Sequence, residues 1–126
     1  LESLVHFPGN CRDMPAAFML ADVVISASTD AEAFGRIIVE AQAMGRLVIA
    51  TGHGAARETI THGTNGWLVA PNDASAMADA LSDALNIDSK TRDLIARRGI
   101  TNVRENYTKA LMSERTMRVY KEILSD

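Results

Sequence analysis

The 126-residue chain has a single cysteine, no excess of basic residues and no long apolar run. Cys11 alone cannot close an internal disulfide, so no disulfide framework holds this fold, and a reducing compartment suits it. Thirteen Lys and Arg stand against 16 Asp and Glu, a formal charge of −3. That balance argues against a nucleic-acid surface and against a polybasic membrane patch. No segment approaches the roughly 18–20 apolar residues of a transmembrane helix, and no signal peptide is visible. His6, His53 and His62 are scattered and Cys11 has no partner at ligand spacing, so neither a metal nor another cofactor is expected. Internal repeats, low-complexity tracts and linkers are missing as well.

What is present is core-forming. At 47% hydrophobic residues the chain is not disordered, and chains near this size bury roughly two-thirds of their unfolded surface. It opens on Leu1 and a strand-like run, which predicts a piece of a longer protein. The expected organisation is a single partial domain over 1–126, with an α/β core at 1–85 and C-terminal helices at 86–126. Ser3–Phe7 reads as a first strand, ended by Pro8-Gly9-Asn10. Asp13 and Pro15 start a short helix, Pro15–Ala21. Asp22–Ser26 is a β-branched run expected to be covered on both faces. After a polar loop, Ser28–Phe34, a helix runs from Gly35 to Met44 and is closed by Gly45.

Leu47–Ala50 is a third strand, followed by the Gly52-His53-Gly54 loop and a short helix, Ala55–Thr61. Trp67–Val69 is a fourth strand, expected to pack against a helix. Asn72 or Asp73 caps Ala74–Leu85, with Met77, Leu81 and Leu85 as its apolar row. Two further helices reach Asn106 and Leu124. The alternation predicts an α/β fold: a parallel sheet of about four strands flanked by helices, a partial Rossmann-like arrangement. In such sheets ligands bind beyond the carboxyl ends of the strands. Those ends are Pro8–Met14, Ser26–Phe34 and Thr51–Ala55.

The segment Asp30–Glu40 carries most of the chemistry. Its helix is apolar nearly all round, which predicts burial and places Glu40 inside an apolar cylinder. A buried carboxylate needs hydrogen bonds or a partner charge. The vicinal hydroxyls of a ribose would satisfy it; so would pairing with Arg57. Glu32 lies just before the same helix, where it can face a ligand or simply complement the helix dipole. Between the two, Phe34, Gly35 and Arg36 form a helix N-terminus whose free N–H groups favour phosphate, with Gly35 allowing close backbone approach. This order of groups fits an extended nucleotide-sugar. Arg36 otherwise reads as an exposed first-turn arginine and His53 as an incidental loop residue. Arg92, Arg97, Arg98 and Arg104 read as a solvated helix face, with a membrane or interdomain contact as the alternative.

Glu32 and Glu40 within AEAFGRIIVEAQAMGRLVIAT, followed by GHGAARETITHGTNGWLVAPND, resemble the GT-B-fold retaining glycosyltransferases of group 1, the family 4 class. The likeness covers Val5 to Leu85. It implies the later part of the donor-binding domain of a two-domain enzyme. By the resemblance, Glu40 accepts the ribose hydroxyls, and Glu32, the catalytic-site carboxylate, contacts the transferred sugar near its reacting carbon. Phe34, Gly35 and Arg36 bind the distal phosphate and sugar, and Gly9 and Asn10 face the base. The Gly52–Gly54 turn and Glu58 support the site.

The reaction so implied moves a sugar from a nucleoside diphosphate to an acceptor hydroxyl, with retention and no metal. The family's diphosphate-gripping Arg and Lys and its acceptor domain match nothing here. The chain is therefore expected to be inactive alone, to need an N-terminal domain as partner, and to self-associate through exposed sheet edge. A cytoplasmic location is expected, with peripheral membrane attachment of the full protein as an alternative. Three rivals stand beside this reading. A GT-B-fold nucleotide-sugar epimerase is the nearest. A non-catalytic receiver-type module would need an Asp closing a strand, whereas Asp22 begins one. A dinucleotide oxidoreductase would need a third glycine after Gly52 and Gly54.

Overall fold

A three-stranded parallel sheet in the order β1-β2-β3 organises the chain in the computed structural model, which describes residues 2–125. β1 (Val23–Ser26) pairs with β2 (Leu47–Thr51), placing Val23 opposite Leu47. β2 pairs with β3 (Trp67–Val69), placing Ile49 opposite Trp67. Parallel neighbours need crossover connections, supplied here by α2 (Arg36–Ala43) and then by α3 (Ala56–Thr59). α1 (Met14–Leu20) precedes β1, and α4 (Ala74–Asn86), α5 (Ser89–Asn106) and α6 (Lys109–Leu124) follow β3.

Period-two alternation sends side chains to opposite faces of the sheet. Val24, Val48, Ala50 and Leu68 pack with Phe18 of α1, Ile38 and Ala41 of α2, and Ala56 of α3. Val23, Leu47, Ile49, Trp67 and Val69 pack with Ala80 and Ala84 of α4 and Ile95 of α5. β2, central and fully buried, is the axis of the core. Trp67 sits against helices, as its sequence position predicts.

Capping residues set the helix starts. Asp13, Asp73 and Asp88 accept the N–H groups of Ala16, Ala76 and Thr91 at 2.9–3.0 Å, and Thr108 accepts that of Leu111 at 3.2 Å. At Asp88 the Thr91 hydroxyl, then the Thr91 N–H, holds the carboxyl below its ordinary range. α2 differs: it starts at Gly35, in the left-handed region at φ +66°, with no side-chain cap. It ends as predicted, with Gly45 left-handed and Arg46 N–H bonded to Ala41 O at 3.0 Å.

Four expectations are corrected. The first strand, Ser3–Phe7, does not form. Glu2–Leu4 is a short 3-10 turn and Val5 and Phe7 are exposed, so the sheet has three strands rather than about four. A strand exists only by pairing, and among the described residues none is offered to this segment. β1 is covered on one face more than the other, since Ile25 is 39% exposed. The α4 row drifts: Leu85 is exposed, while Ala80 and Ala84 are buried. Steps of four rotate by about 40° each, so the buried stripe needs the i+3 positions too. The fourth correction concerns α2 and bears on the site.

Candidate functional site at the start of α2

Glu40 is exposed. The sequence reading places it inside an apolar cylinder, but α2 has a distinct buried face: Ile38, Val39, Ala41 and Gln42. At about 100° per residue those four span one side of the helix, and Glu40 falls nearly opposite their centre, beside Arg36 and Ala43. Its carboxylate therefore faces open volume. A cavity of about 570 Å³ lies on one side, bordered by Phe34, Arg36, Val39 and Tyr107. A second, of about 360 Å³, lies on the other, bordered by Met14, Pro15, Phe18 and Met44. The alternative pairing with Arg57 is not made; that guanidinium donates to Gly52 O.

Glu32 is held at the start of the same helix. The Ser28 hydroxyl donates to its Oε1, and its Oε2 lies 3.3 Å from where a Cβ on Gly35 would be. A side chain at position 35 would be strained at that φ and would press on this carboxylate, so glycine suits both demands. Among the described residues neither Glu32 nor Glu40 forms an ion pair. With no side-chain cap at Gly35, and with Ile38 N–H turned back to Gly35 O at 3.1 Å, the Arg36 and Ile37 N–H groups are those left for an anion among the described residues. Arg36 is exposed at that end, about 6 Å along the axis from Glu40.

The turn after β2 pins the Glu32 loop. Ala55 N–H bonds Glu32 O at 3.2 Å, and a Cβ on Gly54 would sit 2.5 Å from that same oxygen. Thr51 Oγ1 donates to Ser28 O at 2.7 Å. Gly52–Gly54 and the Glu32 loop are thus in direct contact. Gly9 and Asn10 are not brought into this contact; they lie on an exposed loop, with open space around Gly9. That loop leads into Met14 and Pro15, which share the smaller cavity with Glu40.

Sequence reasoning missed several neighbours. Tyr107 meets Phe34 edge-on at 6.0 Å, and Lys109, Met112 and Arg115 of α6 border the larger cavity. Thr51 and Ser28 were legible as strand-end polar residues, yet nothing local announced that they would bond each other. Glu58 offers only its backbone here, accepting from Tyr107 Oη at 3.3 Å. Among the described residues, no group of three or more His, Cys, Asp or Glu is placed to hold a metal ion. No described helix is long and apolar enough to cross a membrane.

A parallel sheet under helices, with a glycine-started helix and loops gathered at its strand ends, is the Rossmann-like arrangement of GT-B glycosyltransferases. The chain belongs to that family: the model of the group 1 glycosyl transferases matches residues 1–86. It is 35% identical over 121 residues to a phosphatidyl-myo-inositol mannosyltransferase of Mycobacterium leprae, covering 94% of this chain and 32% of that protein. A glycosyltransferase structure from Rickettsia africae superposes with a TM-score of 0.90 at 39% identity, over 94% of this chain and 31% of that one.

HepE of Anabaena, solved with UDP, superposes at 0.92 with 29% identity, over 97% of this chain and 33% of that one. Its structure with UDP-glucose superposes at 0.83 with 27% identity, over 89% and 30%. The chain spans about a third of the length of these relatives.

Proposed function

We propose that this chain supplies the donor half-site of a retaining glycosyltransferase of the family 4 class, which moves a sugar from a nucleoside diphosphate to an acceptor hydroxyl. The observation that carries the reading is the start of α2. An uncapped helix N-terminus lies between two carboxylates that no cation neutralises among the described residues, in a chain whose relative HepE was solved with UDP-glucose. The pyrophosphate rests on the first N–H groups of α2, with Phe34, Gly35 and Arg36 around it. Glu40, one turn on, accepts the ribose hydroxyls, and Glu32 accepts hydroxyls of the transferred sugar. Gly9 and Asn10 reach the base by way of the Met14–Pro15 side.

Glu40 makes these bonds as an exposed, preorganised acceptor, not as a buried charge in search of a partner. In the reaction the bond from the anomeric carbon to the diphosphate oxygen breaks. The acceptor oxygen bonds that carbon and gives up its proton to the departing diphosphate. The α2 dipole and N–H groups stabilise charge growing on the departing diphosphate. No metal enters this scheme. A further domain supplies the acceptor and the remaining phosphate contacts.

The test uses the complete polypeptide. Glu40→Gln removes a charge-assisted acceptor and is expected to raise donor KM by about 10- to 100-fold. Glu32→Gln is expected to lower kcat by about 10²–10³. The anomeric configuration of the product, read by NMR, is expected to match that of the donor. Inversion, free epimerised sugar nucleotide, or two variants with unchanged kinetics would each overturn the proposal.

A further inference from the structure

We propose that His53 is a positioning residue for the transfer, holding the Glu32 carboxylate at the start of α2 through Ser28. This rests on the reading of Glu32 as the residue that meets the transferred sugar. His53 Nε2 lies 2.8 Å from the backbone oxygen of Ser28. A carbonyl oxygen only accepts, so Nε2 is the donor. The same oxygen accepts from Thr51 Oγ1 at 2.7 Å. Two donors from the end of β2 thus converge on one acceptor, which fixes the Ser28 main chain in place and orientation. Ser28 in turn donates its hydroxyl to Glu32 Oε1.

The other end of the segment is held by the same turn. Ala55 N–H bonds Glu32 O at 3.2 Å, and Gly54 lies against the Glu32 main chain too closely for any side chain. One short turn, Gly52–Ala55, therefore clamps both ends of the segment from Ser28 to Glu32. Ser26, Ser28, Glu32, Gly35, Thr51 and His53 line one small cleft. His53 Nδ1 is buried with no hydrogen-bond partner among the described residues. A buried nitrogen in that state is unfavourable and calls for an explanation. Holding Ser28 in register with the sugar-binding carboxylate supplies one.

The experiment is steady-state kinetics on the complete polypeptide carrying His53→Ala, His53→Gln and Glu32→Gln, singly and with His53→Ala in the Glu32→Gln background. Misplacing a contact group can cost as much as ~10²-fold. His53→Ala is expected to lower kcat by about tenfold or more, with affinity for the free nucleoside diphosphate unchanged, because Glu40 and the α2 N–H groups are untouched. His53→Gln places an amide N–H within reach of the same carbonyl and is expected to recover kcat to within about threefold of the parent. In the Glu32→Gln background, His53→Ala is expected to add less than about twofold, the mark of two residues acting through one contact.

An undiminished effect in that background would assign His53 a merely structural role and overturn the inference. Parent-level turnover in His53→Ala beside a crippled Glu32→Gln would overturn it while leaving the donor-site reading intact. Parent-level turnover in Glu32→Gln would overturn the inference together with the role given to Glu32. Should His53→Ala not fold, Ser28→Ala, on a partly exposed loop, must show the same loss of kcat, and parent-level turnover there would overturn the inference.

Discussion

Gly54 shows how much of this site depends on single positions. It is left-handed at φ +52°, and a Cβ there would lie 2.5 Å from Glu32 O and 3.0 Å from Glu32 N. Backbone atoms cannot swing aside as the end of a flexible side chain can, so Gly54→Ala must either displace the Glu32 loop or distort the turn. The expected loss is about 2 kcal/mol of stability, measured by urea unfolding of this chain. Turnover of the complete polypeptide should fall more than that loss explains. Gly9 is equally left-handed at φ +73° but stands in open space, so alanine there carries only the backbone penalty of about 1 kcal/mol. A Gly54→Ala variant no less stable than Gly9→Ala would contradict the contact between turn and loop.

Among the elements, α2 matters most, because its two ends and two faces do different work. Its start presents N–H groups to the site, while its buried face is fixed by a polar network. Gln42, fully buried, donates from Nε2 to Asn65 O at 3.0 Å and accepts at Oε1 from Asn102 Nδ2 at 3.2 Å. Asn65 Nδ2 and Asn102 Nδ2 both donate to Thr59 O. The amides thereby tie α2 to α5 and to the turn after α3, and Gly99 of α5 lets the helices close up over Gln42.

Gln42→Leu keeps the bulk but leaves the buried Asn65 carbonyl without its donor. The expected cost is about 1–3 kcal/mol, read as a lower urea midpoint with an unchanged slope. An unaltered midpoint would mean the network contributes nothing net. The helix starts of α1 and α4 were legible in the sequence, because a capping residue acts on an N–H only three positions away. The buried face of α2 was not, since its apolar residues are spread around most of the helix and only the neighbours choose among them.

At the scale of the whole molecule, large apolar side chains are exposed at several places on the described surface. α6 has no buried residue, and Met112, Met117, Val119, Tyr120, Ile123 and Leu124 are exposed along it. Ile25 is uncovered on β1, which pairs on one side only among the described residues. Leu4, Val5 and Phe7 add to the total at the other end. Such surfaces seek cover. Sedimentation velocity on this chain alone should therefore show a weight-average mass that rises with concentration. A single monomeric species at all concentrations would overturn that expectation.

The sequence by itself determined the fold class, the order of the elements, most helix boundaries and the segment in which the chemistry lies. These follow from periodicity, capping and turn residues, which act over four positions or fewer. Tertiary structure decided what depends on distant partners. It turned Glu40 outward by setting α2 on its Ile38–Gln42 face. It denied Ser3–Phe7 a ladder, and a strand without one is only an extended segment. It brought His53 onto Ser28 across 25 positions of chain. A hydrogen bond across space has no signature in local order, because the residues that make it are chosen by packing and not by spacing.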